Sequence, residues 1–189
     1  MGPFPHNAPK SAITAENPAG TDGFEFVEFA HPDPEELRRL FARMGYKKVA
    51  RHNRKNIELW QQGDVTYVLN AEADSFGARF AAEHGPCAPS MGWRVVDAAR
   101  AFDRAVSLGA KPYDGAGKVL DVPAICGIGG SLIYFVDQYY DTSPYNEEYE
   151  WLEESKPRGV GFFYLDHLTH NVHKGNMDTW FRFYGDLFN

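Results

Sequence analysis

Three histidines fall within seven residues near the end of the chain, at His167, His170 and His173, with Asp166 just ahead of them. Imidazoles and carboxylates bind metals and carry protons, so these residues are the candidates for chemistry. A three-histidine zinc site is the simplest reading, but the spacing argues against it. The aromatic run FFYL at 162–165 favours a strand. In a strand, side chains an odd number of residues apart point to opposite faces. His167 and His170 therefore cannot share an ion while the segment is extended, and Asn171 and Gly175 then favour a loop. One ligand from this group is expected rather than three. Asp166 should face away from His167, free to orient a neighbour or cap the pleat.

The other reactive residues are scattered. His6, His31, His52 and His84 have no partners in sequence and are assigned surface or capping roles. Cys87 and Cys126 form no paired motif, so neither a disulfide framework nor a zinc site is expected. They read as small buried hydrophobes in a reduced, cytoplasmic compartment. Gly127, Gly129 and Gly130 could cradle a phosphate, but they lead into a strand, not a helix. A turn or bulge is the better reading.

The elements around these residues repeat one theme: strand, turn, amphipathic helix, further strands. In the first copy, residues 24–30 alternate, with Phe24, Phe26 and Glu28 assigned to one face. Asp33, Pro34 and Glu36 then form a helix-start signal, with Leu37, Leu40, Phe41 and Met44 on one face and Gly45 at the end. Strands follow at 46–51, 56–61 and 65–69, giving a βαβββ order. Residues 75–84 read as a connecting helix. The second copy has a strand at 91–96, a cap at Asp97, a helix closed by Gly109, and strands at 119–123 and 131–137. The third begins at Gly161 with a strand over 162–168. A helix follows whose apolar face carries Met177, Trp180, Phe181, Tyr184 and Leu187. The strands that should follow this helix are not in the sequence, which predicts a truncated domain. The fold class expected is α+β, built of paired βαβββ modules. The divisions are a flexible tail at 1–22, a domain at 23–140, a linker at 141–160 and the start of another domain at 161–189.

Composition excludes several function classes. The net charge of −7 disfavours nucleic-acid binding, which needs a basic face. No apolar run is long enough to span a membrane. The first 22 residues lack the basic start and apolar stretch of a secretory signal.

Several segments carry a family resemblance. LDHLTHNV (165–172) and FRFYGDLFN (181–189) resemble the opening of the catalytic domain of 4-hydroxyphenylpyruvate dioxygenases. GFEFVEFAHP (23–32), FAAEHGP (80–86) and PAICGIGGSLIYFVD (123–137) resemble the N-terminal domain of the bacterial type. The resemblance implies the vicinal oxygen chelate (glyoxalase-like) fold, in line with the repeats. It also implies an enzyme that uses Fe(II) and O₂ to convert 4-hydroxyphenylpyruvate to homogentisate and CO₂ in tyrosine catabolism. The family holds iron with two histidines and a glutamate, leaving positions open for the keto acid and O₂. Only His167 matches one of these ligands, and His170 matches a residue that is not a ligand. The other two ligands would lie beyond Asn189, so the chain alone is expected to be inactive. The family's habit of forming dimers or tetramers implies a homo-oligomer. Two other readings stand beside this one: a non-catalytic scaffold or dimerisation module from the same family, and a relative that forms hydroxymandelate.

Overall fold

The computed structural model describes residues 9–188. Its first module runs β1 (Thr21–Ala30), α1 (Pro34–Arg43), β2 (Lys47–His52), β3 (Ile57–Gln62) and β4 (Val65–Asn70). The helix starts where the sequence places it: Asp33 is extended and its side chain accepts the Glu35 N–H at 3.0 Å. Gly45 takes a φ of 87° just past the helix, a conformation costly for any residue with a Cβ. After α2 (Phe76–His84) the second module runs β5 (Cys87–Val95), α3 (Ala98–Ser107), β6 (Ala124–Cys126) and β7 (Leu132–Val136). β8 (Tyr149–Trp151) and α4 (Met177–Phe188) complete the chain.

The eight strands among the described residues form one mixed sheet in the order β6-β7-β5-β1-β4-β3-β2-β8. β1 pairs with β4 in parallel, and β5 pairs with β7 in parallel. The two module-opening strands, β1 and β5, lie side by side and antiparallel. The modules thus repeat one another about the middle of the sheet.

The second module is the less complete copy. The expected strand at 119–123 is not formed. Val119 and Leu120 are buried in the core, and the strand begins at Ala124. The remaining strand is reduced to an isolated bridge between Pro112 and Ile125. Lys111 and Tyr113 hydrogen bond to Cys126 and Ala124 on either side. Pro112 thus sits at a non-hydrogen-bonded position opposite Ile125, where the missing N–H costs this pairing nothing. The glycines before β7 form a single 3-10 turn at Ile128–Gly130, as the turn reading expects.

Packing divides into three apolar clusters. One fills the concave side of the sheet and includes Phe26, Leu59, Val68, Val119, Leu120, Leu132 and Tyr134. A second lies under α1, around Phe41, Trp60 and Leu69. A third lies under α3 and α4, around Ala101, Ala105, Phe135, Leu187 and Phe188.

The segment after β7 departs from expectation. Residues 141–160 were expected to be a linker, but Tyr149–Trp151 pairs with β2 and extends the sheet. Tyr145 and Tyr149 are buried in the concave core, and the Tyr149 hydroxyl donates to the Val119 carbonyl at 2.9 Å. Aromatic burial on this scale outweighs the acidic, Pro-containing composition that suggested a linker. At the other end, residues 1–8 of the expected tail lie outside the described residues. Ala19 to Asp22 are already buried, and β1 starts at Thr21.

The expected strand at 162–168 does not form, because the segment meets no strand with a free edge. At its start the Asp64 N–H donates to the Phe163 carbonyl at 2.7 Å, and at its end Leu168 packs against the cluster around Leu187 and Phe188. α4 forms as expected, but with its face turned. Leu187 and Phe188 are buried, with Phe183 and Tyr184 partly so, whereas Met177 and Phe181 are 62% and 75% exposed. The helix is apolar on more than one side, so its own pattern could not fix which side would pack. Arg104 of α3 donates to the Asp186 carbonyl at 3.0 Å and fixes the contact.

Candidate functional site

His167 lies on the irregular segment with its side chain 76% exposed. Its Nδ1 stands 2.7 Å from Asp166 Oδ2, so the two neighbours do meet. The expectation that they face apart assumed a strand, and without the strand the separation of faces disappears. The hydrogen bond from His167 holds the Asp166 carboxyl below its usual range. A carboxylate on Nδ1 leaves Nε2 free for an ion, which is how metal-binding histidines are commonly oriented. His170 is turned away from this pair. Its ring stacks on Tyr184 at 5.3 Å, and burial lowers its pKa.

The described residues contain no group of three His, Cys, Asp or Glu placed to hold a metal. His167 with Asp166 alone does not fit an iron site, since affinity comes from several ligands arranged together. Three of the other histidines have structural tasks, and His173 is exposed on the irregular segment. His31 Nδ1 accepts the Asp33 N–H at 2.8 Å at the start of α1. His52 Nδ1 accepts the N–H groups of Arg54 and Lys55 in the turn after β2. The His84 ring packs tilted against Phe80 at 4.2 Å, and His6 lies outside the described residues. Both cysteines are free and half-buried, not fully buried as expected, and burial pushes the Cys87 thiol up to about 11.

The concave face holds polar residues that the sequence reading did not single out. Glu28 on β1 is fully buried between Asn70 of β4 and Ser90 of β5. The Asn70 amide donates to Glu28 Oε1 at 2.7 Å, and Ser90 Oγ makes a short hydrogen bond to Oε2. Burial raises the Glu28 pKa, and the bonds from Ser90 and Asn70 only partly offset this.

Further along the same face, β1 bulges against β5. Phe24 pairs with Trp93 and Phe26 with Gly92, so β1 has one more residue here than its neighbour. The bulge sends Phe24 to the outer cluster and Phe26 to the inner one, which corrects the assignment of both to one face. It also brings Glu25 to Arg94, with Arg94 Nε donating to Glu25 Oε2 at 2.6 Å. Arg94 Nη1 donates to Asp64 Oδ2 at 2.7 Å, and Lys156 Nζ lies 2.8 Å from Asp64 Oδ1. Burial raises the Asp64 pKa, but Arg94 and Lys156 together lower it more, so the carboxyl is held below its usual range. The available signal was a charged residue inside an apolar strand: Arg94 between Trp93 and Val95, and Glu25 between Phe24 and Phe26.

Paired βαβββ modules, their opening strands side by side around a concave face, define a vicinal oxygen chelate fold. The family pattern described as "Hydroxyphenylpyruvate dioxygenase, HPPD, N-terminal" matches residues 15–150, ending within β8. The chain belongs to this family. It is 46% identical over 175 residues to Protein MelA of Shewanella colwelliana, covering 92% of this chain and 51% of that protein. It is 45% identical over 184 residues to the 4-hydroxyphenylpyruvate dioxygenase of Pseudomonas aeruginosa, covering 94% and 52%. Among solved structures it resembles a xylose isomerase-like TIM barrel/4-hydroxyphenylpyruvate dioxygenase fusion protein. The TM-score is 0.81 at 30% identity, over 98% of this chain and 30% of that one. The chain spans about half the length of the curated relatives it matches. No helix among the described residues is long and apolar enough to cross a membrane.

Proposed function

We propose that this chain is part of an Fe(II)- and O₂-dependent 4-hydroxyphenylpyruvate dioxygenase, an enzyme of tyrosine catabolism that releases homogentisate and CO₂. The 45% identity to the Pseudomonas aeruginosa dioxygenase over 184 residues carries this reading. The described residues to about 150 serve as the N-terminal domain, and residues 161–189 contribute to the catalytic domain. His167 is the iron ligand that this chain supplies, with Asp166 orienting its ring. A second histidine and a glutamate come from outside these 189 residues. The enzyme is cytoplasmic and works as a homo-oligomer.

Oxygen uptake with 4-hydroxyphenylpyruvate and Fe(II) tests the reading, with products separated by chromatography. The 189-residue chain is expected to consume no substrate-dependent oxygen. The polypeptide read from the gene past the codon for Asn189 is expected to consume one O₂ per homogentisate formed. Turnover by the 189-residue chain at one iron per chain would refute the placement of the missing ligands. Hydroxymandelate as the product would move the protein to the related reaction. A gene that stops at Asn189, with no activity, would make it a scaffold.

A further inference from the structure

The tip of the β3–β4 hairpin is gripped by a strap, residues 156–163, that follows β8. Four consecutive residues, Gln61 to Asp64, each hold one backbone group of the strap. Gln61 Oε1 accepts the Lys156 N–H and Gln62 Oε1 accepts the Val160 N–H, both at 2.9 Å. The Gly63 N–H donates to the Pro157 carbonyl at 2.9 Å, and the Asp64 N–H to the Phe163 carbonyl at 2.7 Å. Consecutive strand residues point to opposite faces, so the two glutamines take hold from opposite sides of the sheet. Gln61 stands on the concave side with Glu25 and Arg94. Gln62 reaches the end of α1, where its amide donates to the Met44 carbonyl at 2.7 Å. Residues 156–160 therefore cross from one face to the other around the hairpin tip.

The contact is built for this crossing. Gln61 and Gln62 are 4% and 0% exposed, and the Gln61 amide is held by Thr66 Oγ1 at 2.9 Å. Both side chains are thus fixed at one end by the sheet and present only their oxygens to the strap. Lys156 takes a φ of 57°, a left-handed conformation that a residue with a Cβ keeps only where its surroundings enforce it. Its ammonium lies 2.8 Å from Asp64. A Cβ on Gly159 would run into the Gln62 side chain, and one on Gly63 into the Phe163 backbone.

A segment between domains ordinarily leaves them free to move. Here the last of the four bonds falls at Phe163, and only three residues separate it from His167. We infer that Gln61 and Gln62 are positioning residues, which clamp the strap around the hairpin tip and so set where the segment carrying His167 leaves the N-terminal domain. The consequence for turnover rests on the dioxygenase reading, whereas the clamp itself does not.

Trypsin reads the clamp at the exposed Arg158–Gly159 bond inside the strap, with the exposed Lys174–Gly175 bond outside it as reference. Rates are normalised to peptides of the same sequences. In the 189-residue chain Gln61→Met, Gln62→Met and Gly159→Ala are each expected to speed cleavage at Arg158 about tenfold or more, because cleavage follows the population of opened strap. Cleavage at Lys174 is expected to stay unchanged. Gln61→Glu keeps the accepting oxygen, with Thr66 able to turn its hydroxyl towards it, and is expected to retain wild-type protection. Gly159→Ala lies on the exposed strap and keeps the test open should a glutamine variant fail to fold. In the complete polypeptide the two Met variants are expected to lower kcat about tenfold or more with KM held within about twofold, as displacement of a reacting group does. Gln61→Glu is expected to turn over as wild type. Unchanged cleavage at Arg158 in the folded variants would overturn the clamp, and faster cleavage with unchanged kcat would overturn the positioning role. A wild-type polypeptide without turnover would refute the dioxygenase reading, and the protease rates would still decide the clamp.

Discussion

Glu28 lets the buried polar arrangement be tested by pH. Its carboxyl is closed off from water, with an amide on one oxygen, a hydroxyl on the other and no cation bonded to it. Its pKa in the fold lies above the ordinary 4.5 because burial disfavours the charge. A carboxyl with a raised folded pKa contributes stability that is complete below about 4.5 and is lost as pH rises through the folded value. Glu28→Gln presents the same shape without ionising: its oxygen accepts from Asn70 and its amide donates to Ser90. The variant should therefore match the wild type near pH 4.5 and become the more stable protein as pH rises towards 8. Each unit separating the folded and unfolded pKa values corresponds to about 1.4 kcal/mol. Glu28→Ala removes both partners, orphaning a buried amide and a buried hydroxyl. It should destabilise by about 3 kcal/mol, a fall of roughly 6–12 °C in Tm for a domain of this size. Urea melts of the three proteins from pH 4.5 to 8 provide the comparison. If Glu28→Gln lost stability at pH 8 relative to wild type, the carboxylate would be ionised and stabilising there, and the reasoning would be wrong.

Other outcomes follow from the same geometry. Arg94→Met should destabilise by about 3–5 kcal/mol in denaturant melts, because Glu25 is left buried without a cation. The double variant Glu25→Gln/Arg94→Met should recover part of that loss. Gly92→Ala drives a methyl group into the Phe26 ring and should cost about 1–3 kcal/mol by the same measurement. His167→Ala should leave the melting of this chain unchanged, since the side chain is exposed on irregular backbone. In the complete enzyme the same change should reduce bound iron, as read by metal analysis.

The local rules of the sequence predicted the helix ends well. Asp33, Ser75 and Asp97 each cap a helix through a side-chain oxygen, and Gly45 and Gly109 take positive φ just past helix ends. These signals act over a few residues, so they can be read without knowing the fold. What was missed depends on distant partners. The strand at 149–151 exists because β2 offers an edge, and the one at 162–168 fails because nothing does. The bulge at Glu25 is a mismatch between two strands, so β1 alone cannot reveal it. For the site, sequence reasoning singled out His167 and set His170 aside, and the structure turns the His170 ring onto Tyr184. Sequence reasoning placed His167 and Asp166 on opposite faces, and it passed over Glu25, Glu28 and Arg94, whose chemistry arises only when β1 and β5 meet.

The pairing of β8 with β2 sets a schedule for synthesis. Arg51 and Glu150, which meet across those strands, are 99 residues apart. At translation rates of about 5–20 residues per second, β2 has left the ribosome for roughly 5–20 s before its partner is made. During that interval the first module holds all its other strands but exposes an open edge, the feature through which sheets pair with the wrong chain. Lys47, Lys48 and Arg51 lie along that strand. In the finished sheet they pair with Glu153, Glu58 and Glu150; until β8 is made they also repel a second copy of the same edge.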